Sequence, residues 1–107
     1  MADVGRTFPH PVVVVSREDL NRGHYVVAVV VTSAKFAIRS QLPNCVPLAA
    51  GQFGMSKDCV AQAETITVIP KVQLDLASGA LGKLDDLTLR DLVKAIGHVI
   101  ESDCEPV

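Results

Sequence analysis

The chain has 107 residues, 49% of them hydrophobic and 4% aromatic, with no tryptophan and a formal net charge of −2. That length builds one core and not two, so residues 1–107 read as a single domain. The 21% charged fraction excludes a disordered chain, and no apolar run approaches the roughly 20 residues of a membrane helix.

The first predicted element is a buried strand over Pro11–Ser16, opened by a proline that cannot donate to a ladder. Residues 17–24 are a polar connection with room for one helical turn. Tyr25–Thr32 is the second strand; its run of apolar and β-branched residues has the pattern of a strand covered on both faces. It ends in the hydroxyl pair Thr32-Ser33, where rigid strand meets loop. Ser33–Asn44 reads as a long loop, Cys45–Leu48 as a short strand, and Gly51–Gly54 as a turn. Asp58–Ile69 is strand-like, but its alternation changes face near Ala63-Glu64, which predicts a bulge. Pro70 ends that ladder and opens one helical turn over Pro70–Leu74, before a glycine-bearing connection at residues 77–82. A C-terminal helix follows, capped by Asp85 or Asp86, with an apolar stripe of Leu89, Leu92, Val93, Ile96, Val99 and Ile100 and a frayed end at Glu101 and Asp103. Several short strands followed by one amphipathic helix make a mainly β fold, a small curled sheet or barrel with a helix packed on it.

Charge and cysteine usage narrow the function. Residues 1–57 carry six basic side chains against three acidic, a net +3; residues 58–107 carry four against nine, a net −5. A phosphate-facing surface therefore belongs in the first half, and a solvated surface accounts for the same charges. Cys45, Cys59 and Cys104 are an odd count without Cys-x-x-Cys spacing, and His10, His24 and His98 do not fall at ligand spacing with them. Free thiols in a reducing cytoplasm are expected, with no metal and no cofactor. Met1–Gly5 lacks the basic and apolar regions of a secretory signal.

Five stretches, in order over roughly residues 11–100, resemble the MazF/PemK family of toxins. They are Pro11–Ser16, like the family's proline-led strand; Val29-Val30-Val31-Thr32-Ser33, like its apolar strand ending in Thr-Ser; and Gly54-Met55-Ser56-Lys57-Asp58-Cys59-Val60, like its G-L-x-K-D-S-V turn. The others are Glu64–Leu74, like D/E-Q-I-R-T-I-D-K-x-R-L, and Leu81–Leu84 before an acidic-capped helix. The resemblance implies an SH3-like (CcdB/PemK-like) barrel with a C-terminal helix. It also implies a homodimer that cleaves single-stranded mRNA without a metal, is held by a cognate antitoxin, and binds DNA as that complex. Relatives begin with a G-D-I/V-W strand, of which Ala2-Asp3-Val4-Gly5 remains, so a shortened first strand is expected.

Metal-free RNA cleavage needs a base for the 2′-hydroxyl proton, an acid for the leaving 5′-oxygen, and donors around the phosphorane. The resemblance assigns Thr32 to the scissile phosphate. The residue before the proline-led strand, where the family commonly carries arginine, is His10, with Arg6 as the nearest guanidinium and phosphate stabiliser. Glu64 matches an acidic position that acts as a base in relatives, so Glu64 or His10 is the base and the other the acid. Gln62, Ser33, Lys35 and Arg39 are the expected RNA contacts, and Phe36 and Phe53 either stack on bases or anchor their loops. Each has a plainer structural reading: Thr32 ends a strand by bonding to nearby backbone, and Lys35 and Arg39 decorate a solvated loop. Two rival functions remain: a catalytically weak binding module, and a CcdB-like toxin of DNA gyrase.

Overall fold

The computed structural model describes residues 3–7, 10–17, 19, 22–74 and 82–100. Six antiparallel strands form one sheet: β1 (Asp3–Thr7), β2 (His10–Val14), β3 (Tyr25–Thr32), β4 (Cys45–Leu48), β5 (Cys59–Pro70) and β6 (Gly82–Lys83), in the order β4-β5-β3-β2-β1-β6. Among the described residues, two α-helices accompany it, α1 (Phe36–Arg39) and α2 (Asp86–Val99). The first strand, expected to be shortened, runs five residues and pairs with both β2 and β6.

β3 is the axis of the sheet, and its valine-rich run is buried on both faces. Val29 and Val31 join Val4, Val13, Ala61 and Leu92 in the larger core beneath α2, while Val26 and Ala28 join Val12, Val14 and Ile69 in a second cluster on the opposite side. The two clusters are the physical reason for an uninterrupted apolar strand. The sheet is also rolled. Although β6 lies at the edge opposite β4, a Cβ on Gly82 would sit 2.4 Å from the backbone of Phe53, in the loop that follows β4. Only glycine allows that approach.

Two irregularities shape the strands. β2 stops at Val14, short of the expected Ser16, because the Val15 and Ser16 N–H groups both bond the Val27 carbonyl while the Ser16 hydroxyl accepts from the Val27 N–H at 3.0 Å. β5 carries the predicted bulge: Gln62 pairs with Val30 and Thr67 with Ala28, so Ala63–Ile66 face Val29 alone. The Thr65 hydroxyl staples it, accepting from the Val30 N–H at 2.8 Å and donating to the Gln62 carbonyl at 2.6 Å.

The expected long loop 33–44 contains α1, a four-residue helix entered through Lys35 in the left-handed region (φ 53). A 3-10 turn at Lys71–Gln73 follows Pro70 as expected. Of the glycine-bearing connection, residues 77–81 lie outside the described residues, and Gly82 is strand. In α2, Asp85 is the cap and accepts from the Thr88 N–H at 2.7 Å. The buried stripe is Leu92 and Ala95 with Leu89, Ile96 and Val99; Val93 and Ile100, expected within it, are more than half exposed. Each sits one residue, about 100° of rotation, off the line set by Leu92, Ile96 and Val99. The expected fraying at Glu101 and Asp103 lies outside the described residues. Among the described residues no helix is long and apolar enough to cross a membrane.

Candidate functional site

β3 delivers Thr32 and Ser33 to the wall of a cavity of about 360 Å³. Its remaining lining comes from Pro11 of β2, Val31, Ala34, the Gly54–Lys57 segment and Cys59. The Thr32 hydroxyl accepts from the Ala34 N–H at 3.1 Å, a local turn that fixes the side chain. A hydroxyl has one proton and two acceptor sites. Because the backbone uses only an acceptor site, the Thr32 proton stays available for an oxygen in the cavity. The plainer reading of Thr32 therefore holds as structure and leaves its donor capacity intact.

The backbone register sets the other candidates. Arg6 pairs with Pro11, and Thr7 with His10, across β1 and β2. Val12 pairs with Val30 across β2 and β3, so the His10 end of β2 and the Thr32 end of β3 lie at the same end of this strand pair. The two basic candidates from the first strands thus occupy the Thr32 end of the sheet.

Glu64 stands elsewhere. Thr32 pairs with Val60, and Glu64 lies four residues further along β5, inside the bulge. Its carboxylate accepts from Asn44 Nδ2 at 2.5 Å and from Gln62 Nε2 at 3.2 Å, and neither Glu64 nor Gln62 lines the cavity. Beside this pair lies Cys45: burial pushes its thiol up, the Glu64 carboxylate adds to that, and the Arg39 guanidinium opposes it. Arg39 connects the two places. Its Nη1 donates to the Ala34 carbonyl at 3.4 Å, so it braces the turn that holds Thr32. Lys35 is exposed and adopts the left-handed conformation at the start of α1. Phe36 and Phe53 are partly buried, and Phe53 packs against the main core, which favours anchoring for that residue.

The cavity also contains two groups that the strand reading did not single out, Ser56 and Lys57. The turn motif Gly54–Val60 held the signal; its last residue, Val60, pairs with Thr32 across β5 and β3, and that register brings the turn beside the cavity. Cys45 and Cys59 are free thiols, both buried. Cys59 Sγ donates to the Lys57 carbonyl at 3.3 Å; burial raises its thiol, Asp58 adds to the rise and Lys57 opposes it.

Comparison with known proteins places this geometry. Residues 3–100 match the family described as PemK-like, MazF-like toxin of type II toxin-antitoxin system. No curated protein matches the chain in sequence. Among solved structures, it resembles an endoribonuclease in complex with its cognate antitoxin from a mycobacterial species (TM-score 0.75, 24% identity, 94% of this chain and 92% of that one). It also resembles the Mycobacterium tuberculosis toxin MazF-mt6 (TM-score 0.75, 21% identity, 92% and 94%). The MazE–MazF structure from Deinococcus radiodurans is similar too (TM-score 0.73, 17% identity, 94% and 93%). At these identities the likeness concerns the fold: a mostly β half-barrel with a C-terminal helix, as expected. With a family match over nearly its whole length, this chain belongs to the PemK-like, MazF-like toxins of type II toxin–antitoxin systems.

Proposed function

We propose that this toxin is an endoribonuclease that cleaves single-stranded RNA without a metal ion, with the Thr32 cavity as its active groove. The observation that carries the reading is the Thr32 hydroxyl, held on its acceptor side by the Ala34 N–H and open on its donor side. In the reaction the 2′-oxygen attacks the adjacent phosphorus and the 5′-oxygen leaves. A base takes the 2′-proton, an acid protonates the 5′-oxygen, and donors stabilise the added charge of the phosphorane. Thr32 donates to a phosphate oxygen. His10, at the same end of the β2–β3 pair as Thr32, is the acid–base group nearest the scissile bond, an imidazole able to serve in either role. Arg6 stabilises phosphate charge. Glu64 is the second acid–base group, and its carboxyl oxygens accept from two side-chain amides. Ser33, Lys35, Arg39 and Gln62 are proposed RNA contacts. The toxin works in the cytoplasm as a homodimer and is restrained by a cognate antitoxin, in keeping with solved complexes of similar fold.

One observation favours a second reading, a binding module with weak catalysis: Glu64 lies away from the Thr32 cavity. Incubation with a long single-stranded RNA in EDTA separates the two. Specific cuts by the parent protein that vanish in Thr32→Ala and His10→Ala establish the enzyme. Intact RNA together with tight binding to a neighbouring gene product establishes the module, and intact RNA with inhibited gyrase establishes a CcdB-like toxin.

A further inference from the structure

Among the described residues that line the Thr32 cavity, Lys57 is the charged one. This lysine is exposed, and among the described residues no ion pair engages it. Its acidic sequence neighbour, Asp58, accepts from the Ala50 N–H at 2.8 Å through Oδ1. The segment carrying Lys57 is held in place before any ligand arrives. Met55 is buried, its carbonyl accepts from the Gly51 N–H at 2.7 Å, and its N–H donates to the Gln52 carbonyl at 2.8 Å. The Cys59 thiol bonds the Lys57 carbonyl, and the close approach of Gly82 fixes Phe53 and Gly54 from the opposite edge of the sheet. Exposed hydroxyls of Ser33 and Ser56 line the same cavity.

We infer that Lys57, with Ser33 and Ser56, forms a phosphodiester subsite that holds the backbone of single-stranded RNA beside the bond at Thr32. The inference rests on the RNA-cleaving reading above and adds the groups that seat the strand. An ammonium offers three donors around a compact charge, and each hydroxyl offers one more; together they suit the separated non-bridging oxygens of a phosphodiester. The ammonium and two hydroxyls stand beside Thr32, where the reading above puts the scissile phosphate, which favours an RNA backbone as the occupant. A volume of about 360 Å³ falls in the range of small-ligand sites. Because the loop is already ordered, binding spends little on ordering it.

The test is fluorescence anisotropy with a labelled, uncleavable 2′-O-methyl oligonucleotide, from 50 to 200 mM salt. Lys57→Ala should bind more weakly at low salt, with a log–log salt slope shallower by about 0.7, the value for one lost contact to a single strand. Its deficit relative to the parent then shrinks about 2.6-fold across that fourfold salt range. Lys57→Arg should keep the parental slope, and Lys94→Ala, on α2, should match the parent. Equal affinity and slope for Lys57→Ala and parent overturn the subsite while leaving the RNA reading intact. Loss of binding to a polyglutamate peptide, with RNA binding unchanged, overturns it in favour of an acidic protein partner. Failure of the parent to bind the oligonucleotide overturns the subsite and the RNA reading together.

Discussion

The Thr65 staple makes a quantitative claim about how the bulge is held. Replacing Thr65 by valine keeps the shape and β-branching of the side chain and removes only its hydroxyl. Two hydrogen bonds go, to the Val30 N–H at 2.8 Å and the Gln62 carbonyl at 2.6 Å, and both backbone groups are partly buried. A made hydrogen bond contributes about 1 kcal/mol net, and a buried group left without a partner costs about 1–3 kcal/mol. Partial burial puts each loss near the lower end, so Thr65→Val should destabilise the fold by about 2–3 kcal/mol. With a urea dependence of about 1–3 kcal/mol per molar for a small domain, the unfolding midpoint should fall by about 1 M or more. Thr67→Val is the control, since Thr67 is exposed on the same strand and should change stability by less than about 0.5 kcal/mol. Thr65→Ser, which restores the hydroxyl, should recover most of the loss. If Thr65→Val unfolds at the same urea concentration as Thr67→Val, the hydroxyl does not hold the bulge and the reasoning fails.

Three further outcomes are expected. Gly82→Ala forces a Cβ to 2.4 Å from the Phe53 backbone, which cannot rotate away, so a thermal melt should show a loss at or above the usual 1–3 kcal/mol of overpacking; parental stability would contradict the rolled sheet. Asp85 holds the first turn of α2, and its hydrogen bonds with Thr88 keep its carboxyl below the ordinary value near 3.9. A folded pKa below the unfolded one stabilises the protein above about pH 3.9 and loses that contribution as pH falls through the depressed value. Parent and Asp85→Ala should therefore differ in stability at neutral pH and converge in acid, as followed by circular dichroism; a gap that persists in acid would assign the cap another origin. Cys45 and Cys59 should resist iodoacetamide at pH 8 in the folded protein and react in urea, because burial raises both thiols; equal labelling by peptide mass spectrometry in both conditions would refute their burial.

Much of this architecture was readable along the chain wherever local chemistry decides. The valines of β3 have no polar partner to alternate with, so they require cover on both faces, and the strand's bounds follow from Tyr25 to Thr32. The face change at Ala63-Glu64 announced the bulge, and the pair Asp85-Asp86, of which Asp85 is the cap, announced the helix start, since each is a matter of side-chain order over a few residues. The order of the five family-like stretches carried the family itself.

What the chain could not show was anything that depends on residues far apart meeting in space. The hydroxyl of Thr65 closes the bulge only because Val30 arrives opposite it, 35 residues away in sequence. The helix α1 inside the expected loop exists through a left-handed Lys35, a conformation few residues adopt and no composition predicts. Lys57 and Thr32, 25 residues apart in sequence, share a cavity because β3 and β5 pair in a register that sets Thr32 against Val60. Glu64 reads as a neighbour of Thr32 in a list of motifs, yet strand register and the bulge carry it along β5 to Asn44 and Gln62. Sequence order therefore determined the strands, the cap and the family. Register, curl and long-range hydrogen bonds, which cost chain entropy and form only when the whole sheet closes, decided which side chains meet at the site.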